Sequence, residues 1–221
     1  MNLVHVKVWG PLACFTRPEL KVERVTYDVM TPSAAHNLLK AIFWKPEFDY
    51  QITEIHVLNP IEYVSITRNE IKDRQTPRQS YIAASERRTQ RTTLALKDVA
   101  YVIKARIHLE SHATAPVQKY TGMFMDRVER GRNFHSPYLG LREFHAYFTR
   151  PTGSERPIDV TRDLGMMLLR LNYQEDERGP FTFTRHGSDG ARTVKGRAVP
   201  EYFGAHLDNG ILRVPGHDHV R

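Results

Sequence analysis

The sequence predicts an α+β fold: an antiparallel sheet with two helices on one face, followed by a small β-rich C-terminal domain. Three observations carry this. Segments of strand and helix period follow one another as strand, helix, strand, strand-rich segment, helix, strand, which is the split ferredoxin-like (RRM-like) order. Two stretches, near 32–45 and 116–130, begin at proline and keep their apolar residues on one helical face. Beyond residue 150 only short strand-like runs remain, separated by turn residues.

Residues 3–9 alternate Val4, Val6 and Val8 with Leu3, His5 and Lys7 and read as a strand that Gly10-Pro11 ends. Residues 12–30 are polar and irregular, with Arg17, Lys21 and Arg24, and read as a long loop or hairpin. Thr31 then caps a helix with Pro32 in its first turn. Ala34, Ala35, Leu38, Leu39 and Ile42 line its buried face, and Lys45-Pro46 stops it. Residues 51–58 and 61–66 read as strands paired across the Asn59-Pro60 turn.

Residues 68–92 hold Arg68, Lys72, Arg74, Arg78, Arg87, Arg88 and Arg91 against Glu70, Asp73 and Glu86. This is too polar for a core and reads as a projecting basic hairpin or a mobile loop. Strand character resumes at 93–96 and 99–109, where Tyr101, Ile103, Ala105, Ile107 and Leu109 share a face. A second helix at 116–130 places Val117, Tyr120, Phe124 and Val128 in one stripe, and Gly131 stops it. A strand at 141–148 and a linker at 149–156 follow. The division is thus 1–150 for the main domain and 151–221 for the appendage, with strands at 166–171, 180–184 and 192–199.

Composition narrows the function. The chain has 221 residues, of which 40% are hydrophobic, enough for a core. Its formal charge of +7 points to a polyanionic partner, with nucleic acid ahead of an anionic membrane surface or no polyanion at all. Cys14 is the only cysteine, which excludes an intrachain disulfide and a zinc site built on several thiolates, and it reads as a small buried residue. No signal peptide or run of membrane-spanning length is present, so the cytoplasm is expected and no membrane partner. His217 and His219 are spaced for metal binding, but they sit at a chain end. No metal or cofactor is assigned.

The sequence holds no P-loop, zinc-protease helix, nucleophile elbow or dense carboxylate cluster. Metal-free RNA cleavage asks for less. The ribose 2′-OH attacks the adjacent phosphorus, and Lys, His, Tyr or Arg side chains move protons and stabilise the crowded phosphate. Lys119-Tyr120 lies in the first turn of the second helix, where the dipole favours a phosphate, although an exposed lysine beside a core tyrosine gives the same pattern. Trp44-Lys45 pairs a base-stacking ring with a cation, or plugs the core. Arg127, Arg130, Arg132, Phe134 and His135 suit RNA, or a solvated helix end.

Several runs resemble a known family. They are Val8-Trp9-Gly10, Ala13-Cys14-Phe15-Thr16-Arg17-Pro18-Glu19, Lys21-Val22-Glu23-Arg24, Tyr27-Asp28-Val29-Met30-Thr31-Pro32, Phe43-Trp44-Lys45-Pro46, Val57-Leu58-Asn59-Pro60-Ile61, Arg68-Asn69-Glu70, Phe134-His135-Ser136-Pro137-Tyr138-Leu139-Gly140 and Arg142-Glu143-Phe144. Together they resemble the CRISPR-associated RAMP protein of type I-C systems, the fifth Cas family in its d subtype. The resemblance implies a ferredoxin-like RAMP domain and a metal-independent endoribonuclease. It implies cleavage of CRISPR repeat RNA to a 2′,3′-cyclic phosphate and retention on the 5′ handle of the mature guide RNA. It also implies Cascade backbone and large subunits as partners, and target DNA within the complex is a further candidate partner.

The family's lysine matches Lys119. Tyr120 stands where the family often has histidine, and Phe43 where it often has tyrosine or histidine. The resemblance assigns Lys119 to the phosphate, Tyr120 to proton transfer and Phe43 to packing at the scissile nucleotide. Lys21, Arg24, Trp44, Lys45, Arg87, Arg88, Arg91, Arg132 and His135 are the expected RNA contacts. The departures at Phe43 and Tyr120 keep open a non-catalytic RNA-binding subunit of the same complex. A ferredoxin-like enzyme of small-molecule metabolism is the remaining alternative.

Overall fold

The computed structural model describes residues 2–73, 76 and 81–216. Its first strand, β1 (Leu3–Ala13), buries Val4, Val6 and Val8 completely. It does not end at Gly10-Pro11. Pro11 falls between the ladder pairs Gly10–Val99 and Leu12–Lys97, so its missing amide interrupts little. Gly10 lets another segment close in, because a Cβ there would lie 2.6 Å from the Leu139 side chain and 2.7 Å from the His145 carbonyl. The following loop closes as a hairpin through a Thr16–Thr26 bridge, and within it β2 (Arg24–Val25) runs parallel to a later strand. Cys14, Phe15, Tyr27, Val29 and Met30 are core residues there. No period marks them, which is why the segment reads as polar loop. Burial also pushes the Cys14 thiol above its ordinary pKa, so it is an inert packing group.

Helix α1 (Pro32–Ile42) starts where the sequence places it. The Thr31 hydroxyl accepts the Ala34 amide at 3.2 Å, and Pro32 occupies the first turn. The helix stops at Phe43, before Lys45-Pro46. The next strands, β3 (Phe48–Val57) and β4 (Glu62–Ile71), do not pair with each other as the Asn59-Pro60 turn suggests. Both pair with β5 (Arg88–Leu109), β4 along its first half and β3 along its second. The sequence splits β5 in two because Lys97-Asp98 interrupts its pattern. The chain instead kinks at Asp98, which has φ +49°, and the Asn59 side-chain amide donates to the Asp98 carbonyl at 2.6 Å. The β4–β5 hairpin carries the basic segment, of which Arg74 and Arg78 lie outside the described residues.

Helix α2 (Val117–Glu129) ends in a Schellman motif: the Gly131 amide donates to Val128, the Arg132 amide donates to Arg127, and Gly131 has φ +62°. The expected strand at 141–148 is replaced by turns and a short β6 (Tyr147–Thr149). The Leu139 amide donates to the Phe144 carbonyl and the Phe144 amide to the Leu141 carbonyl across a tight loop, and Gly140 (φ +84°) sits where a Cβ would lie 2.0 Å from the Cys14 carbonyl. That contact requires glycine.

Strands β6, β1, β5 and β3 lie side by side in that order, all antiparallel, with α1 and α2 as the two crossovers. This is the ferredoxin-like arrangement. The C-terminal segment adds β7 (Arg162–Glu175), β8 (Phe181–Gly187), β9 (Gly190–Asp208) and β10 (Ile211–Arg213). Through β10 it extends the sheet from the β3 edge. These strands are longer than the runs read from sequence. Their exposed positions mix charged residues such as Arg162, Asp163 and Lys195 with Met166, Tyr173 and Gly204, so no clean apolar alternation marks the full strands. His217 and His219 lie outside the described residues.

Candidate nucleic-acid interface

The site is organised by Phe48, a residue the sequence does not single out. Its ring centroid lies 5.5 Å from Phe43 and 5.1 Å from Tyr120. The end of α1, the start of β3 and the first turn of α2 therefore converge on one buried ring. Phe43 is 3% exposed and Tyr120 is 2% exposed. Lys119 alone of the three is exposed. Its α2 turn begins at Pro116, which gives no side-chain cap, and holds no acidic residue. A lysine at an uncapped helix start is suited to a phosphate. The burial of Phe43 and Tyr120 changes what those positions can do. Phe43 lies beneath the Arg127 guanidinium, 5.2 Å from its ring centroid, and does not present a face to solvent. The Tyr120 hydroxyl makes no hydrogen bond among the described residues, so it is not preset by a protein partner.

One hydrogen bond fixes the end of α1. The Tyr50 hydroxyl, buried on β3, donates to the Phe43 carbonyl at 2.7 Å. Burial pushes the Tyr50 pKa far above its ordinary value, with the Asp49 charge adding to the effect, so the group is a permanent donor. Trp44 and Lys45 follow directly and are half-buried. Lys40 lies over the Trp44 ring at 5.4 Å, and His186, near the tip of the β8–β9 hairpin, meets it edge-on at 5.4 Å. The amides of Phe134 and His135 donate to the Ala41 carbonyl at 2.8 and 3.2 Å. This ties the segment after α2 to the last turn of α1, three residues before Trp44, and His135 and Arg132 in that segment are both exposed.

The other basic residues fall elsewhere and divide by how their charge is used. Arg24 and Arg68 form a closed square with Glu70 and Glu143, at 2.8 to 3.6 Å. Arg24 is therefore committed to holding the β4–β5 hairpin against the loop before it. Arg91 pairs with Glu23 at 3.4 Å, whose second oxygen accepts the Thr92 amide. Arg87 pairs with Asp73 at 3.2 Å in an exposed position. Arg88 and Lys21 are exposed and make no ion pair among the described residues. Among the described residues no three or more His, Cys, Asp or Glu side chains gather as metal ligands, and no helix is long and apolar enough to cross a membrane.

One further pair escaped the sequence. His36 Nε2 and Asp49 Oδ1 are 2.7 Å apart, joining α1 to β3. Partial burial raises the Asp49 pKa, but the hydrogen bond and charge of His36, with Lys40 nearby, outweigh it and hold the carboxyl below its usual range. The helical stripe hides this pair, because His36 follows two alanines and points away from the core face.

Residues 3–215 match the family model Cas_Cas5d, described as CRISPR-associated protein (Cas_Cas5). The chain is 46% identical over 216 residues to a CRISPR pre-crRNA endoribonuclease Cas5d of Thermus thermophilus, covering 97% of this chain and 92% of that protein. It is 36% identical over 235 residues to a CRISPR pre-crRNA endoribonuclease Cas5d of Mannheimia succiniciproducens, covering 97% and 95%. In fold it is similar to a crystal structure of a CRISPR-associated protein, with TM-score 0.67, 20% identity and coverage of 99% and 94%. It is equally similar to a functionally uncharacterized protein of Streptococcus mutans, with TM-score 0.66, 18% identity and coverage of 99% and 95%.

Proposed function

The chain belongs to the Cas5d family of CRISPR-associated proteins, and from that premise we propose that it is a metal-independent endoribonuclease that cuts CRISPR repeat RNA and stays on the 5′ handle of the guide as a Cascade subunit. The observation that carries the reading is 46% identity, across nearly the whole chain, to a protein named as a pre-crRNA endoribonuclease. The geometry supports it in one place above all: an exposed lysine on an uncapped helix start, backed by a rigid aromatic cluster.

In this reading the RNA crosses the end of α1 and the start of α2. The ribose 2′ oxygen forms a bond to the adjacent phosphorus as the bond to the 5′ oxygen breaks, leaving a 2′,3′-cyclic phosphate. The 2′ proton is lost to a base and the departing oxygen gains one. Lys119 stabilises the negative charge on the phosphoryl oxygens. Tyr120 sits one residue on with its ring buried, so proton transfer by its hydroxyl requires the RNA to seat directly over this turn and uncover it. Phe43 acts from beneath, fixing Arg127 and the Trp44-Lys45 pair. Trp44 and His135 offer rings to unstacked bases, and Lys45 and Arg132 offer charge to phosphates. Arg87 and Arg88 add charge along the projecting hairpin, which clamps the handle, while Lys21 adds charge from the loop before β2 and Arg24 and Arg91 hold the hairpin's base. Backbone and large subunits of the complex, and target DNA held by it, are the remaining partners, in the cytoplasm.

A second reading is favoured by the burial of Phe43 and Tyr120: a subunit that binds the handle and does not cut. One experiment separates the two. Purified protein is mixed in excess with its own repeat RNA in EDTA, using an intact RNA and one with a 2′-deoxyribose at the scissile position. The enzyme reading expects cleavage of the first alone, with both bound equally. Binding without cleavage of either supports the scaffold, and cleavage of the deoxy substrate refutes attack by the 2′-OH.

A further inference from the structure

A cleft of about 400 Å3 lies between α1 and β7, floored by β3, and Lys119 does not line it. Its chemistry is mixed in a particular way. Ile52, Leu169 and Val214 give it an apolar base. Tyr173, 53% exposed, forms an aromatic wall and is held edge-on by Phe181 at 6.0 Å and at a tilt by Phe183 at 5.6 Å. The lining also includes the His36–Asp49 pair, with Asp49 Oδ1 already engaged, and the exposed amide of Asn37. Lys40 and Arg170 supply positive charge, Arg170 being steadied by Glu201 at 2.6 Å.

A cleft that merely packed α1 against β7 would have no use for two cations, a carboxylate and an amide around an exposed ring. A flat heterocycle with hydrogen-bond donors on its edge and a phosphate on its ribose uses all of them. Single-stranded RNA is recognised in this manner: a base leaves its stack, lies on an aromatic side chain and is read along its edge. A carboxylate accepts from amino or imino donors, so it selects a base that presents them. The volume lies in the range of small-ligand sites. The cleft is also continuous with the proposed RNA path, because Lys40 lies over Trp44 one helical turn away.

We propose that this cleft holds one extruded nucleotide of the bound RNA, its base against Tyr173, its donor edge toward Asp49 and its phosphate toward Lys40 and Arg170. The inference rests on the RNA-processing reading and adds a base-specific site to it. The test uses the full chain and its own repeat RNA, with a single abasic nucleotide walked through the unpaired positions. Affinity is measured for the wild type and for Tyr173→Ala, whose folding is checked by its melting temperature. In the wild type one abasic position should weaken binding about ten-fold, the scale of one base stacked on an aromatic ring. The same position should cost nothing further in Tyr173→Ala. Asp49→Asn should reduce discrimination among bases at that nucleotide alone. Wild-type affinity in Tyr173→Ala, or losses that add at every position, overturns the proposal. If the wild type still binds and cuts the intact RNA, only the cleft assignment fails. If the wild type ignores the RNA, the processing reading falls and the cleft assignment with it.

Discussion

The Tyr50 hydroxyl donates to the Phe43 carbonyl at 2.7 Å inside the core, and this bond sets where the Trp44-Lys45 pair leaves α1. Tyr50→Phe removes the donor and leaves a buried carbonyl unpaired. The expected loss is about 1–3 kcal/mol of unfolding free energy, measured by urea denaturation. RNA affinity should fall with it, because the end of α1 loses its tie to β3. A variant as stable as the wild type would contradict the bond's structural role.

Phe43→Tyr restores a side chain common in the family, yet it should not restore function through its hydroxyl. The ring is 3% exposed and packs between Phe48 and Arg127. The added oxygen would be buried without a preset partner, costing on the order of 1 kcal/mol or more. Single-turnover cleavage should stay within about two-fold of the wild type, a change of less than 0.5 kcal/mol in barrier. A large gain in rate would show that the position reaches the RNA.

The hairpin arginines should separate by their existing partners. Arg88 has no ion pair among the described residues, whereas Arg24 is bound to Glu70 and Glu143. Arg88→Ala should weaken RNA binding uniformly across sequences and lower the salt slope by about one. Arg24→Ala should act through the fold, lowering thermal stability and leaving two carboxylates beside a single arginine. Equal salt slopes for Arg88→Ala and the wild type would remove Arg88 from the interface.

Asp49 and Glu54 make stability pH-dependent in a defined sense. His36 holds Asp49 below its usual range against the opposing effect of burial. Glu54 is lowered by the His56 hydrogen bond first and by Lys104, again against burial. Groups depressed in the folded state contribute stability above their unfolded pKa values, near 4, and lose it as pH falls through the folded ones. Wild-type protein should therefore lose melting temperature below about pH 4. An Asp49→Asn, Glu54→Gln variant should be less stable near neutrality and converge with the wild type in acid. A constant gap between them down to pH 2 would contradict the assignment.

Much of this architecture could be read from the residues, for identifiable reasons. Val4, Val6 and Val8 announce β1, and Thr31-Pro32 and Gly131 mark helix ends, because these signals are local and steric. Strand partnership was not local. The Asn59-Pro60 turn looks like a hairpin, but β5 is long enough to take β3 and β4 in series, and nothing near the turn encodes that. Core residues between Cys14 and Met30 were hidden because they pack from irregular backbone. At the site, Lys119 was visible through its place in a helix, while Phe48 and the His36–Asp49 pair emerge only when α1, β3 and α2 meet.

The central claim is that an exposed Lys119 at the start of α2 stabilises the phosphate during metal-free cleavage. The measurement that tests it most directly is single-turnover cleavage of the repeat RNA in EDTA by Lys119→Ala, with binding measured in parallel. The account predicts a rate at least about a hundred-fold lower, roughly the value of one charge-stabilising group, with affinity changed only a few-fold. Cleavage at the wild-type rate by Lys119→Ala would contradict it.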